Sequence, residues 1–184
     1  MSDLARRQRV LLKSLKGRPL DRADAGEEAR LQRAAACTAM LRETMLWWRQ
    51  LGISNACPLT VAVLKRAGRW PAILVSFVRD TPGSTYIGIQ AEHFLDYLAN
   101  DGDALTAAVA RTERALRSSA ADSRYRAEVA WPCDPAPVLN HCLNGTPLDA
   151  DAGMQAFNVR IGWSDACSLQ WLESDPMDNR ATTA

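Results

Sequence analysis

The chain has 184 residues, 47% of them hydrophobic and 23% charged, with a formal net charge of +1. That is enough for a real core in one large domain, or in one domain with a small appendage. The near-neutral balance supplies no global field for nucleic acid, and no run of about 18 apolar residues offers a membrane span.

Met-Ser-Asp-Leu-Ala-Arg-Arg opens the chain with no apolar signal core behind it, so a cytoplasmic location is expected. In that compartment the scattered Cys37, Cys57, Cys133, Cys142 and Cys167 read as reduced, mostly buried thiols.

Helical spacing begins at once. Leu4, Leu11, Leu12 and Leu15 mark one side of a helix over residues 3–16, with Arg6, Arg9, Lys13 and Lys16 on another. Gly17-Arg18-Pro19 ends it. A long helix is expected over residues 27–51, where Leu31, Ala34, Thr38, Leu41, Met45 and Trp48 step by threes and fours. Glu27 and Glu28 suit the positive end of its dipole, and Gly52 is the expected stop.

Pro58 and Pro71 each fit a first helical turn, where a missing N–H costs nothing. The first of these helices carries Leu59, Val61, Val63 and Leu64 as far as Gly68. The second carries Ile73, Leu74, Phe77 and Val78 as far as the turn Thr81-Pro82-Gly83-Ser84. Two more helices follow. Residues 89–98 turn Ala91, Phe94, Leu95 and Leu98 inward, and residues 104–120 do the same with Leu105, Ala108, Val109, Thr112 and Leu116.

The rhythm then changes. Tyr125 to Trp131 alternates enough for a strand, and residues 138–143 suit a short helix stopped by Gly145. Phe157, Val159, Ile161 and Trp163 fall on every second position. A polar turn, Ser164-Asp165, follows, and Cys167, Leu169 and Trp171 repeat the alternation. The expected class is α+β: a mostly helical N-terminal bundle, then a small antiparallel sheet with one short helix. The expected division is a helical docking domain over 1–122, a β-containing recognition domain over 123–174 and a disordered tail over 175–184.

No residue set announces catalysis. His93 and His141 stand apart. Cys133, His141 and Cys142 lack the tight paired spacing of a zinc site. No nucleophile elbow, dinucleotide fingerprint or phosphate loop occurs. The stripe of Arg6, Arg9, Lys13 and Lys16 reads as a solvated face before it reads as a nucleic-acid contact. Of the six tryptophans, Trp47 and Trp48 are adjacent, so one of them must leave the main apolar face of its helix. It then packs on a neighbour or anchors a partner, with Trp70 as a further anchor. A hairpin over 157–171 offers a free strand edge, and such an edge can take up a visiting peptide.

Three pieces in order carry a family resemblance. They are Ala56-Cys57-Pro58-Leu59-Thr60 after a tryptophan-bearing helix, Phe77 within Ile73-Leu74-Val75-Ser76-Phe77, and His93-Phe94-Leu95-Asp96-Tyr97-Leu98 followed by Ala110-Arg111-Thr112-Glu113-Arg114-Ala115-Leu116. Across about residues 4 to 173 the chain resembles the DNA-binding-domain family that accompanies TIM-barrel metal oxidases, in the branch of the methanobactin-biosynthesis partner proteins. The resemblance implies a heterodimer with an MbnB-like TIM-barrel iron oxidase, with the iron and the chemistry in that partner and no cofactor in this chain. It implies that the leader of a ribosomal precursor peptide is recruited, so that core cysteines become oxazolone–thioamide groups of a copper chelator.

The peptide is placed on Phe157, Asn158, Val159, Arg160, Ile161 and Trp163, added as an extra strand, with Arg160 facing a leader carboxylate. The alternatives are a DNA-binding regulator using the basic first helix, and a small enzyme on a helical bundle.

Overall fold

The structure, a computed structural model, describes residues 3–84, 86–146, 155–163 and 169–176. The fold is α+β. Eight helices run through the described residues: α1 (Asp3–Leu15), α2 (Ala25–Arg33), α3 (Ala35–Ala56), α4 (Pro58–Arg66), α5 (Trp70–Asp80), α6 (Ile87–Ala99), α7 (Ala104–Ala121) and α8 (Pro135–Asn144). A 3-10 turn, Arg22–Asp24, precedes α2. Three strands, β1 (Arg126–Trp131), β2 (Phe157–Trp163) and β3 (Leu169–Pro176), form one antiparallel sheet in the order β1-β2-β3.

The helix expected over 27–51 is two helices. Ala34 leaves helical geometry between them (φ −101°, ψ 26°). Gly52 is not a stop either. It lies inside α3, where a Cβ placed on it would meet the Ile87 side chain of α6 at 3.7 Å, an ordinary van der Waals contact. The helix instead ends at Ala56, because the residue before Pro58 is disfavoured in the α region, and Cys57 takes φ −132°. α8 begins at Pro135, earlier than expected, because the Asp134 carboxylate accepts from the Ala136 N–H and caps it. Strand β3 runs through Asp175 and Pro176, which the sequence reading assigned to the tail. The turn Ser164-Asp165, Cys167 and the tail from residue 177 lie outside the described residues.

Two apolar clusters hold the chain together. The first joins α3, α4, α5 and α6 through Ile53, Leu64, Leu74, Phe77, Phe94 and Leu98. Phe94 stands edge-on to both Trp70 and Phe77, with centroids 5.9 and 5.1 Å away. The second joins Leu59 and Val63 of α4 and Val109 and Ala115 of α7 to Val129, Trp131, Val159 and Ile161 of the sheet. The boundary at residue 122 therefore separates helix from strand but does not separate two cores. α7 contributes to both clusters.

Polar groups pin α7 in place. Asp103 caps its first turn by accepting from the Thr106 N–H. The buried Glu113 carboxylate accepts the backbone N–H groups of Leu59 (3.0 Å) and Thr60 (2.9 Å), and so serves as the cap that α4 lacks locally. Arg117 donates to Glu92 on α6 and to the Ala56 carbonyl at the end of α3, each at 3.0 Å. No described helix is long and apolar enough to cross a membrane.

Candidate functional site

The sheet register decides which backbone groups are open. Strand β2 pairs with β1 from Arg126↔Gly162 to Trp131↔Phe157, and with β3 from Phe157↔Pro176 to Trp163↔Leu169. It is the middle strand, so both of its hydrogen-bonding rows are taken. A peptide cannot add beside Phe157–Trp163 as the sequence reading placed it. The outer rows belong to β1 and β3, and among the described residues no further strand pairs with either.

The faces of the sheet divide with period two. Val159 and Ile161 are fully covered, and Phe157 packs against the same cluster beneath. Trp163 donates its indole N–H to the Ser119 carbonyl of α7 at 2.5 Å. Four of the six residues assigned to the peptide are thus turned inward, away from any ligand. The remaining two, Asn158 and Arg160, lie on the outer face, where Asn158 opposes Ala130 and Arg160 opposes Glu128. The Arg126 side chain folds across Gly162 on that face, filling the space a Cβ would need.

The row of β1 is the one whose side chains are described. α7 runs against β1, and between the start of α7 and the end of β1 lies a groove of about 430 Å³. Ala104 and Arg111 of α7 form one wall, Ala130, Trp131 and Pro132 the other, with Gly102 and Ala156, which precedes β2, at the ends. Arg111 donates to the Ala99 carbonyl at 2.5 Å, which ties that wall to α6. The indole N–H of Trp131 turns inward to Thr112 Oγ1 at 2.9 Å, so the ring is buried beneath the groove. An extended segment running from this groove along the outer side of β1 would meet its outward N–H and C=O groups, as in strand addition. Side chains of such a segment on the outer face would stand opposite Arg126, Glu128 and Ala130. Period two over 125–131 identifies β1 as a strand. Its place at the rim depends on strand order, which no local pattern encodes.

The helical side offers a second surface. Trp47 and Trp48 are 55% and 61% exposed, and their rings meet edge-on with centroids 4.8 Å apart. Both leave the core, where the sequence required only one to do so. Met40, Leu41 and Leu51 are exposed on the same helix, and Leu41 and Trp48 had been expected to face inward. They do not, because the buried contacts of α3 lie at its end, around Gly52 and Ile53. Trp70 is only 5% exposed and packs on Phe94, so it is a core residue rather than an anchor. The spacing of Trp70, Leu74, Phe77 and Val78 already marks it as part of the buried face of α5.

The titratable groups near the sheet are tuned towards their neutral forms. Burial, then the nearby Glu113 charge, pushes the Cys57 thiol up to about 12 and the Cys142 thiol to about 11. Burial, then Asp134, raises Cys133. Thiols held this high stay protonated at neutral pH and are poor nucleophiles. His141 Nδ1 lies 2.7 Å from the Thr146 carbonyl, and His93 is exposed on α6. Among the described residues no three His, Cys, Asp or Glu side chains gather to hold a metal.

The basic stripe of α1 is engaged within the fold. Arg6 and Arg9 reach the buried Asp24 carboxylate at 3.2 and 3.8 Å. Lys13 pairs with Asp21 at 2.8 Å, and Lys16 donates to the Thr81 carbonyl at 2.6 Å. The chain matches no protein-family model, no curated protein and no solved structure.

Proposed function

We propose that this chain is the non-catalytic partner subunit of an iron-dependent TIM-barrel oxidase, an MbnC-like protein that presents the leader of a ribosomal precursor peptide to an MbnB-like enzyme. The observation that carries the reading is the groove of about 430 Å³ at the end of β1, an outer strand of the sheet. A leader strand there gains backbone hydrogen bonds from β1 and side-chain contacts with Ala130, Pro132 and the α7 wall. Holding the leader raises the local concentration of the core cysteines at the iron of the barrel, to roughly millimolar for a short flexible tether. The oxidation to oxazolone and thioamide belongs to the partner, so this chain needs no nucleophile and no metal of its own. The exposed pair Trp47 and Trp48 on α3 is the proposed contact with the barrel.

A DNA-binding regulator is the alternative. It would depend on Arg6, Arg9, Lys13 and Lys16, whose engagement with Asp24, Asp21 and the Thr81 carbonyl lends it no support.

The test is a titration of fluorescent leader peptide onto the complex co-purified with the neighbouring barrel oxidase. Ala104→Trp places a large ring in the groove at an exposed helical position, and binding is expected to fall at least about tenfold. Equal affinity for both proteins would remove the β1 groove from the mechanism. A chain that never co-purifies with such an oxidase would remove the partnership.

A further inference from the structure

A second site lies on the opposite structural unit, where α1, α3 and the segment after α5 meet. Lys16, in the turn just after α1, and Arg49 of α3 are both half-buried and converge on Gly83. A Cβ on Gly83 would stand 2.9 Å from Arg49 Nη2 and 4.0 Å from Lys16 Nζ. Between them is a cavity of about 40 Å³ whose floor is Leu12, Met45 and Phe77. Lys16 already spends one N–H on the Thr81 carbonyl. The nearby cations Lys13 and Arg79 are each matched by a carboxylate, Asp21 and Asp80, at 2.8 Å. Among the described residues no carboxylate is paired with Lys16 or Arg49.

This is an unusual balance. Partly desolvated cations are ordinarily paired, because their charge loses hydration without compensation. Here the charges reinforce each other instead. Burial, then the charges of Arg18 and Arg49, depress the Lys16 pKa, and burial depresses that of Arg49. Arg18 adds to the cluster through its bond to the Arg79 carbonyl. The site lacks one negative charge; the glycine admits the Arg49 guanidinium, and the cavity beside it is the open space.

We propose that Lys16 and Arg49 form a receptor for one carboxylate carried on a short apolar stem, the acidic side chain of a docking polypeptide. The planar guanidinium and the ammonium grip the two oxygens by charge-assisted hydrogen bonds. The methylene stem rests on Leu12, Met45 and Phe77. The volume argues for this occupant. A water molecule needs roughly 10–15 Å³ by the same measure, so the cavity takes a carboxylate head but not a phosphodiester with its sugars. The site stands independently of the leader groove, since it uses none of the same elements.

Isotope-labelled full-length protein titrated with sodium propionate tests the proposal, read at the Arg49 Nε–H and Gly83 amide resonances. Propionate is expected to shift both along one saturable curve in the millimolar range, while sodium chloride at equal ionic strength leaves them unmoved. Arg49→Gln and Lys16→Gln, each checked for a native amide spectrum, are expected to weaken that binding about tenfold. Equal shifts with chloride, or full binding by both variants, would overturn the receptor. Saturation by inorganic phosphate well below the propionate concentration would overturn the carboxylate assignment in favour of a phosphoryl ligand.

Discussion

Trp131 of β1 donates its indole N–H to Thr112 of α7 across 2.9 Å, and both residues are buried. The bond joins the sheet to the helix that shapes the groove. Replacing Thr112 by valine keeps the volume and removes the acceptor, leaving a buried N–H without a partner. Thr112→Val is expected to lower unfolding free energy by about 1–3 kcal/mol in urea titration. Trp131→Phe in the same background removes the orphaned donor, so the two losses should not add.

Glu113 ties stability to pH. Desolvation raises its pKa above the ordinary glutamate value, against the opposing pull of Thr60 and Leu59. A carboxyl whose folded pKa is raised binds its proton more tightly in the native state. Its contribution is fully present below the unfolded pKa and is lost as pH rises through the folded one. Unfolding free energy measured between about pH 4 and pH 7 should therefore carry a falling component from this residue. Glu113→Gln removes that component. It also sets an amide N–H₂ against one of the two backbone donors, so the variant is expected to be less stable than the parent throughout. A pH dependence identical in both proteins would contradict the assignment.

Thiol labelling should separate the cysteines by environment. Cys37 is exposed on α3, whereas Cys57 is buried, with its thiol pushed up to about 12. With iodoacetamide at mildly alkaline pH, mass spectrometry of tryptic peptides should show Cys37 alkylated first. Cys57 should be modified only at the rate of global opening. Rapid modification of Cys57 in native buffer would place α4 away from α6.

The tryptophans divide into surface and core. Trp47→Ala and Trp48→Ala remove half-exposed rings and should change stability by no more than about 1 kcal/mol. Trp70→Ala vacates a buried position against Phe94 and should cost about 3–5 kcal/mol. If α3 contacts a partner subunit, the first two variants should lose co-purification while keeping their melting temperature. A melting loss at Trp47 or Trp48 equal to that at Trp70 would show that they are packed.

Local pattern made much of this fold legible. Pro58 and Pro71 placed two helix starts, Gly68 ends α4 with φ +65°, and Ala91, Phe94, Leu95 and Leu98 form a fully buried stripe. The alternation of Phe157, Val159, Ile161 and Trp163 correctly marked one covered face of a strand. The pattern could not give strand order. Nothing within residues 157–163 encodes that β1 lies on one side and β3 on the other, and that order moves the open row away from β2. α3 misled for a related reason. Leu41 and Trp48 have helical apolar spacing, but no element among the described residues covers them, and spacing reports a face without naming what faces it.

α7 is shared property, and that bears on how the chain is made. Leu59, Val63 and Val109 leave the ribosome well before Val159 and Ile161, their eventual cover. Until the last strands arrive, the nascent helices carry an oily flank with nothing upon it, the kind of surface that chaperones bind and that neighbouring nascent chains adhere to. Premature termination after the helices would leave an insoluble stump instead of a smaller working protein.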